Sequence, residues 1–410
     1  MKIDPALQRH PDAAAKPFRR RVFYIPGYDP FHPRRYRELY RKEGTAQAKI
    51  SGYTLDLKPK TTKGPYGWHA SATINGQTAE ADVEVLVWSD LVKQSMSNSI
   101  PATYLQLART AWAYIGSGAL FRLMRLRKGP MIAALYPIIF LIAQLAVSAL
   151  VGWGLGALAA HFTHWSVGLA VFALTLTACL RWFRSKDHKV FAYYLMHDYA
   201  HSAQAGGAYP PELETRMADF RVAIRAALDQ DFDEVLVVGH SSGAHLGVSI
   251  LADMLREGLP DQRPALGFLS LGHVVPMVSF LPKAHRLRAD LAYLSARDAL
   301  TWVDVTAPGD GCAFALCDPV SVTGVAPPDK KGPLVVSAAF TQTLSPERWK
   351  ELKRRYFRLH FQYLCAFDRP GDYDYFQITA GAQTLGQRYA NRAPSKSRIE
   401  RAVNRYTNLA

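Results

Sequence analysis

Cysteine is scarce in this chain: Cys179, Cys312, Cys317 and Cys365 are the only four among 410 residues. They show neither a C-x-x-C pair nor an even spacing, which argues against a disulfide framework or a zinc site and for a reducing compartment. The amino-terminal stretch MKIDPALQRHPDAAAKPFRRR lacks the apolar core of a secretory signal, so a cytoplasmic start is expected. There is no glycine-rich phosphate loop of the dinucleotide or P-loop type, no internal repeat and no low-complexity tract. Acid is in deficit as well. The 49 Lys and Arg outnumber the 34 Asp and Glu by 15, a balance that suits nucleic acid or an anionic membrane face. The basic runs Arg19-Arg20-Arg21 and Lys353-Arg354-Arg355 carry no nucleic-acid fold signature and read as solvated faces or membrane contacts. His161 and His164 are too few to hold a metal.

Charge is missing altogether from residues 131–180, a run of fifty without Asp, Glu, Lys or Arg. A bilayer span takes about 20 apolar residues, so this run supplies two spans and a short connection. Gly152, Gly154 and Gly156, with His161, Thr163 and His164, mark the break, and helices over 131–153 and 163–182 are expected. Arg122, Arg125, Arg127 and Lys128 precede the run, and Arg181, Arg184, Lys186 and Lys189 follow it. By the positive-inside rule both ends lie in the cytoplasm. Residues 104–126 mix Leu105, Trp112, Ile115 and Phe121 with Arg109 and Arg122, which fits an interfacial helix or an ordinary amphipathic core helix.

The whole chain is 49% hydrophobic, and what remains outside the run is large enough for a sizeable core. It alternates strand-like and helix-like pieces. Strands are expected at 21–27, 49–57, 68–88 with an Asn75-Gly76 hairpin turn, 234–239, 266–271, 301–306 and 333–339. Helical patterns fall at 211–229 and 244–257, with a long amphipathic segment over 346–367. This order predicts an α/β fold with a mainly parallel sheet, antiparallel early strands and the apolar hairpin as an insertion. The expected organisation is an amino-terminal segment 1–19, a body in two parts (20–127 and 187–390) interrupted by the hairpin 128–186, and a basic, peripheral tail 391–410.

Gly239-His240-Ser241-Ser242-Gly243 is a G-x-S-x-G sequence. Its physical logic is a strained turn between a strand and a helix that holds the serine out, with glycines where side chains would clash. It follows the apolar run EVLVV and opens AHLGVSILADML, the setting such an elbow needs.

Through VLVVGHSSGAHLG and the early VFYIPGYDP the chain resembles the α/β-hydrolase superfamily, in particular its lipase-like members. The resemblance implies Ser241 as nucleophile and an oxyanion hole from the backbone N–H groups of Ser242 and Tyr28. Serine needs a base, and the base needs an orienting carboxylate, in the superfamily order Ser, acid, His. His360 fits the base, with His273 and His285 as rivals and a buried core histidine as the alternative. Asp310, in a loop after an expected strand, fits the acid, ahead of Asp304 and Asp318.

The function so implied is a membrane-anchored serine hydrolase that cleaves lipid-like carboxylic esters, needs no cofactor or metal, and has the bilayer and an apolar or amphipathic ester as partners. An acyltransferase would use the same acyl-enzyme, and a non-catalytic membrane scaffold on the same fold is a reading of another class. The substrate is expected to enter sideways from the leaflet past the Leu, Trp and Tyr residues of 104–121.

Overall fold

The computed structural model describes residues 16–96 and 99–410, so most of the segment 1–19 lies outside the described residues. Eight strands, β1 (Phe18–Ile25), β2 (Thr54–Pro59), β3 (Gly67–Ile74), β4 (Gln77–Val85), β5 (Glu234–His240), β6 (Ala265–Leu271), β7 (Thr301–Thr306) and β8 (Leu334–Ser337), make one sheet. Their order is β2-β3-β4-β1-β5-β6-β7-β8. The pairs β2/β3 and β3/β4 are antiparallel and the other five are parallel, which gives a mixed α/β fold with a mostly parallel sheet. Along the central strands successive residues serve opposite faces. Val22, Tyr24, Leu236 and Val238 join one core, and Phe23, Ile25, Val235 and Val237 join the other. Between β3 and β4, Asn75 and Gly76 adopt positive φ of 52° and 77°, as a two-residue primed turn requires.

Three local expectations need correction. Residues 49–51 do not begin a strand; they finish the helix Arg34–Ser51, whose buried stripe of Tyr36, Tyr40, Gly44 and Ala48 outweighs their strand-like look, and Gly52 at φ 73° closes it. The segment 346–367 is not one long helix. It folds as Pro346–Leu352, Tyr356–His360 and a 3₁₀ turn Phe361–Leu364, so that Leu352, Leu359, Tyr363 and Leu364 all reach one core. The run Arg19-Arg20-Arg21 lies along β1, and its last two residues are not solvated. Arg20 pairs with Glu234 at 2.6 Å, and Arg21 with Asp82 at 2.9 Å and Glu84 at 2.7 Å, inside the protein. Buried charges persist when paired in this way.

Two helices, Lys128–Phe162 and Trp165–Ser185, are long and apolar enough to cross a membrane. The first is longer than expected, because its glycines do not break it. A Cβ on Gly156 would stand 2.7 Å from the carbonyl of Gly168, and one on Gly168 would stand 2.6 Å from Ala160 Cβ. Gly156 and Gly168 therefore serve close packing of the two helices, whereas Gly154 faces open space. At 1.5 Å per residue the first helix is about 52 Å long, well beyond the ~30 Å of a hydrocarbon core. Its foot is docked: Met131 and Ala134 pack with Leu123, Phe280 and Phe314, and Leu141 packs with Leu107, Tyr193 and Met196. Beyond the foot the hairpin exposes Leu150, Trp153, Leu158, Leu169 and Leu174. The helix Ile100–Gly116 buries Leu107 and Tyr114 and exposes Leu105 and Trp112.

The tail 391–410 is basic but held to the body. Ile399 N–H donates to the Leu316 carbonyl at 2.7 Å, Val403 is buried, and the buried Arg288 donates to the carbonyl of Asn408 at 2.8 Å. A buried guanidinium needs such acceptors, which is why the tail packs down.

Candidate active site

β5 ends at His240, and Ser241 occupies the turn into the helix Ser242–Arg256 with φ 56° and ψ −119°. That backbone region is costly for any residue with a Cβ, on the order of 1–3 kcal/mol. The surroundings hold it there: Ser241 N–H donates to the Leu271 carbonyl at 2.9 Å. They also leave no room for side chains at the motif's glycines. A Cβ on Gly239 would lie 2.6 Å from the Gly243 carbonyl, and one on Gly243 would lie 2.1 Å from the Ile25 carbonyl. The loop after β1 presses on the same turn, since a Cβ on Gly27 would meet Ser241 Cβ at 2.9 Å. Trp88 Nε1–H fixes that loop by donating to the Pro26 carbonyl at 2.9 Å.

Ser241, Ser242, Tyr28 and His360 line one cavity of about 730 Å³. Ser242 is the first residue of its helix, where N–H groups have no intrahelical acceptor. The Tyr28 carbonyl is taken by the hydroxyl of Tyr194.

His360 Nδ1 lies 2.7 Å from Asp310 Oδ2, with both residues buried. The Asp310 carboxylate also accepts from the Tyr363 hydroxyl at 3.0 Å and from Cys312 N–H at 2.9 Å. Burial pushes this carboxyl up, but the His360 ring, the Cys312 N–H and the Tyr363 hydroxyl outweigh it and hold it below the ordinary carboxylate range. His240 holds His360 from behind, donating from Nε2 to its carbonyl at 3.0 Å. Burial in first place, then the charge of His360, lowers His240 to about 3, so it stays neutral.

The rival residues stand apart from this group. His273 donates from Nε2 to the Cys317 carbonyl at 2.9 Å and lies 3.6 Å from Asp304, which is raised to about 6 chiefly by burial. His285 contacts Asn408 of the tail. Asp318 caps the helix Pro319–Thr323 and pairs with Lys330 at 2.7 Å. Among the described residues, Asp310, Cys312 and His360 bring ligand atoms within 4.8 Å of one another, as a metal would need. Burial raises the Cys312 thiol well above its usual range.

The cavity wall differs from the expected entry route. None of residues 104–121 lines it; the foot of the hairpin does, through Ile132, Ala133 and Tyr136, and Lys189, Arg354 and Arg355 also line it. Sequence reasoning assigned no role to His240 or to the cavity-lining Asp198. Tyr363 falls in the stretch Arg358-Leu-His-Phe-Gln-Tyr363, whose His-x-x-Tyr spacing resembles that of several lipases. Comparisons with protein-family models, with curated proteins and with solved structures found no match for this chain.

Proposed function

We propose that this protein is a membrane-anchored serine hydrolase of the α/β-hydrolase type, acting on carboxylic esters of lipid-like substrates. The observation that carries the reading is Ser241, held at φ 56° and ψ −119° in the wall of a cavity shared with a histidine that is bonded to a buried carboxylate. Ser241 attacks the ester carbonyl. His360 takes the serine proton at Nε2 and returns it to the departing alcohol, while Asp310 keeps the proton on Nδ1 and stabilises the imidazolium. The N–H groups of Tyr28 and Ser242 receive the oxyanion. Water then releases the acid from the acyl-enzyme, or an alcohol takes the acyl group in its place.

The anchor in this reading is the exposed upper part of the hairpin, with basic flanks at both ends that favour a cytoplasmic body. A cysteine introduced at Thr163 should then react with an impermeant thiol reagent added outside the cell; protection there together with reaction at Asn391 would reverse the orientation. The chemistry is tested by a fluorophosphonate probe. It should label the wild type and spare Ser241→Ala; a folded wild type that never reacts overturns the serine assignment and favours a scaffold.

A further inference from the structure

The cavity wall beside Ser241 also carries a carboxyl that the proposed reaction does not use. Asp198 belongs to the helix Ala192–Ala203, directly after the hairpin, and lines the cavity on the same face as Tyr194 and Ser202. Among the described residues its carboxyl has no hydrogen-bond or ion-pair partner, while four tyrosines, Tyr28, Tyr114, Tyr194 and Tyr199, feel its charge. His360 is near enough to act on it electrostatically. Burial drives Asp198 up to about 7, although the residue keeps part of its surface open to the cavity. Such a group is costly unless something satisfies it. A carboxyl in the wall of an open cavity, close to the base, finds that partner in whatever the cavity holds.

Charge narrows the choice of partner. Lys189, Arg354 and Arg355 line the same cavity, so an ammonium ligand would be repelled by them. An anionic group at Asp198 would be repelled by the carboxylate itself. A hydroxyl suits both states of the residue, donating to the carboxylate and accepting from the acid.

We propose that Asp198 hydrogen-bonds a free hydroxyl on the alcohol part of the ester, so that the site selects lipid esters of polyols, with the glycerol monoester as the simplest case. The bond cleaved rests on the serine-hydrolase reading above; the hydroxyl subsite is tested without catalysis. The probes are 1-O-hexadecylglycerol, an ether that cannot be cleaved, and its di-O-methyl counterpart. Their binding to the full-length protein in detergent is measured by titration calorimetry, with fluorophosphonate labelling of Ser241 run on the same preparations.

The wild type should bind the free-hydroxyl ether about tenfold or more tighter than the methylated one. Asp198→Ala should reduce that ratio to within about threefold, and Asp198→Asn, which keeps a donor and an acceptor, should retain part of it. Should Asp198→Ala fail to fold, Asp198→Leu, an apolar replacement of similar size, gives the same reading. Equal binding of both ethers by the wild type, or equal weakening of both by the variants, overturns the subsite. Labelling without discrimination removes the hydroxyl proposal and leaves the nucleophile. Discrimination without labelling keeps the subsite and removes the ester chemistry.

Discussion

The same oxygen of Asp310 that lies 2.7 Å from Nδ1 of His360 also accepts a hydrogen bond from the hydroxyl of Tyr363, at 3.0 Å. An ionised carboxylate can only accept, so the arrangement selects the tautomer with Nδ1–H and leaves Nε2 bare to take a proton. Tyr363 also accepts from Ala307 N–H at 3.0 Å, which ties the loop of Asp310 to the turn that carries His360.

This pairing gives the first prediction. Hydrolysis of an activated ester should be lost in Ser241→Ala and His360→Ala, and reduced on the order of 10⁴-fold in Asp310→Asn, where the wrong tautomer is favoured. Combining the changes should cost little more than the worst of them, because the residues act as a unit. Tyr363→Phe should be milder on rate and destabilise the fold by about 1.5–3 kcal/mol, the usual worth of a hydrogen bond to a charged group. Near-normal turnover in His360→Ala would remove the base assignment.

The second prediction concerns the contact between the two loops that frame Ser241. Gly27→Ala would set a methyl 2.9 Å from Ser241 Cβ and 3.3 Å from the His240 carbonyl, neither of which is the end of a flexible chain. The loop or the elbow must shift. A cost of about 1–3 kcal/mol is expected from such overpacking. Fluorophosphonate labelling should slow by at least about tenfold, since misplacement of the reacting groups is costly in rate. Labelling at the wild-type rate would show that the loop can retreat without moving the serine.

The elbow was legible because its requirements are local: an apolar strand before, a helix after, and glycines where Gly243 approaches Ile25. Asp310 and His360 were legible as residue types in order, but their meeting depends on how residues 346–367 break into three pieces, which helical periodicity alone does not reveal. His240 and Asp198 drew no notice because their roles come from neighbours distant in sequence. Gly156 of the hairpin was misread for a related reason. Beside an opposing helix it marks contact, and the same residue facing water would mark a turn. Arg20 and Arg21 looked solvated until β4 and β5 supplied carboxylates opposite them.

A third prediction follows from the raised acid in the cavity. Between about pH 4, the ordinary range of an aspartate, and about 7, its value in the fold, Asp198 keeps a proton that the unfolded chain has lost. The folded state therefore binds more protons there, and stability falls as pH rises through that window. Asp198→Asn cannot ionise and should escape the loss. Thermal unfolding in detergent should show the variant more stable than wild type at pH 8, by on the order of 2–4 kcal/mol, with the gain vanishing near pH 4. A difference that stays constant across pH would show that Asp198 is not raised.

The last prediction separates the two parts of the hairpin. Its foot lines the cavity through Ile132, Ala133 and Tyr136, and Tyr136 donates to the Val190 carbonyl at 2.8 Å, so the foot belongs to the body. Residues 145–182 are charge-free apart from Arg181, and their large apolar side chains are mostly exposed, so they support the cavity little. Replacing 145–182 with a short Gly/Ser linker should therefore release the protein from membranes and leave turnover of a short, water-soluble ester within a few fold of wild type. Long-chain esters in vesicles should suffer far more. Carrying such a chain through water costs about 0.8 kcal/mol per CH₂, whereas a body held on the bilayer receives it from the leaflet. A larger replacement over 131–180 removes the cavity wall as well and should reduce both activities. Should the smaller replacement weaken both substrates equally, the upper hairpin supports the fold; equal retention of both would mean that the ester does not arrive from the membrane.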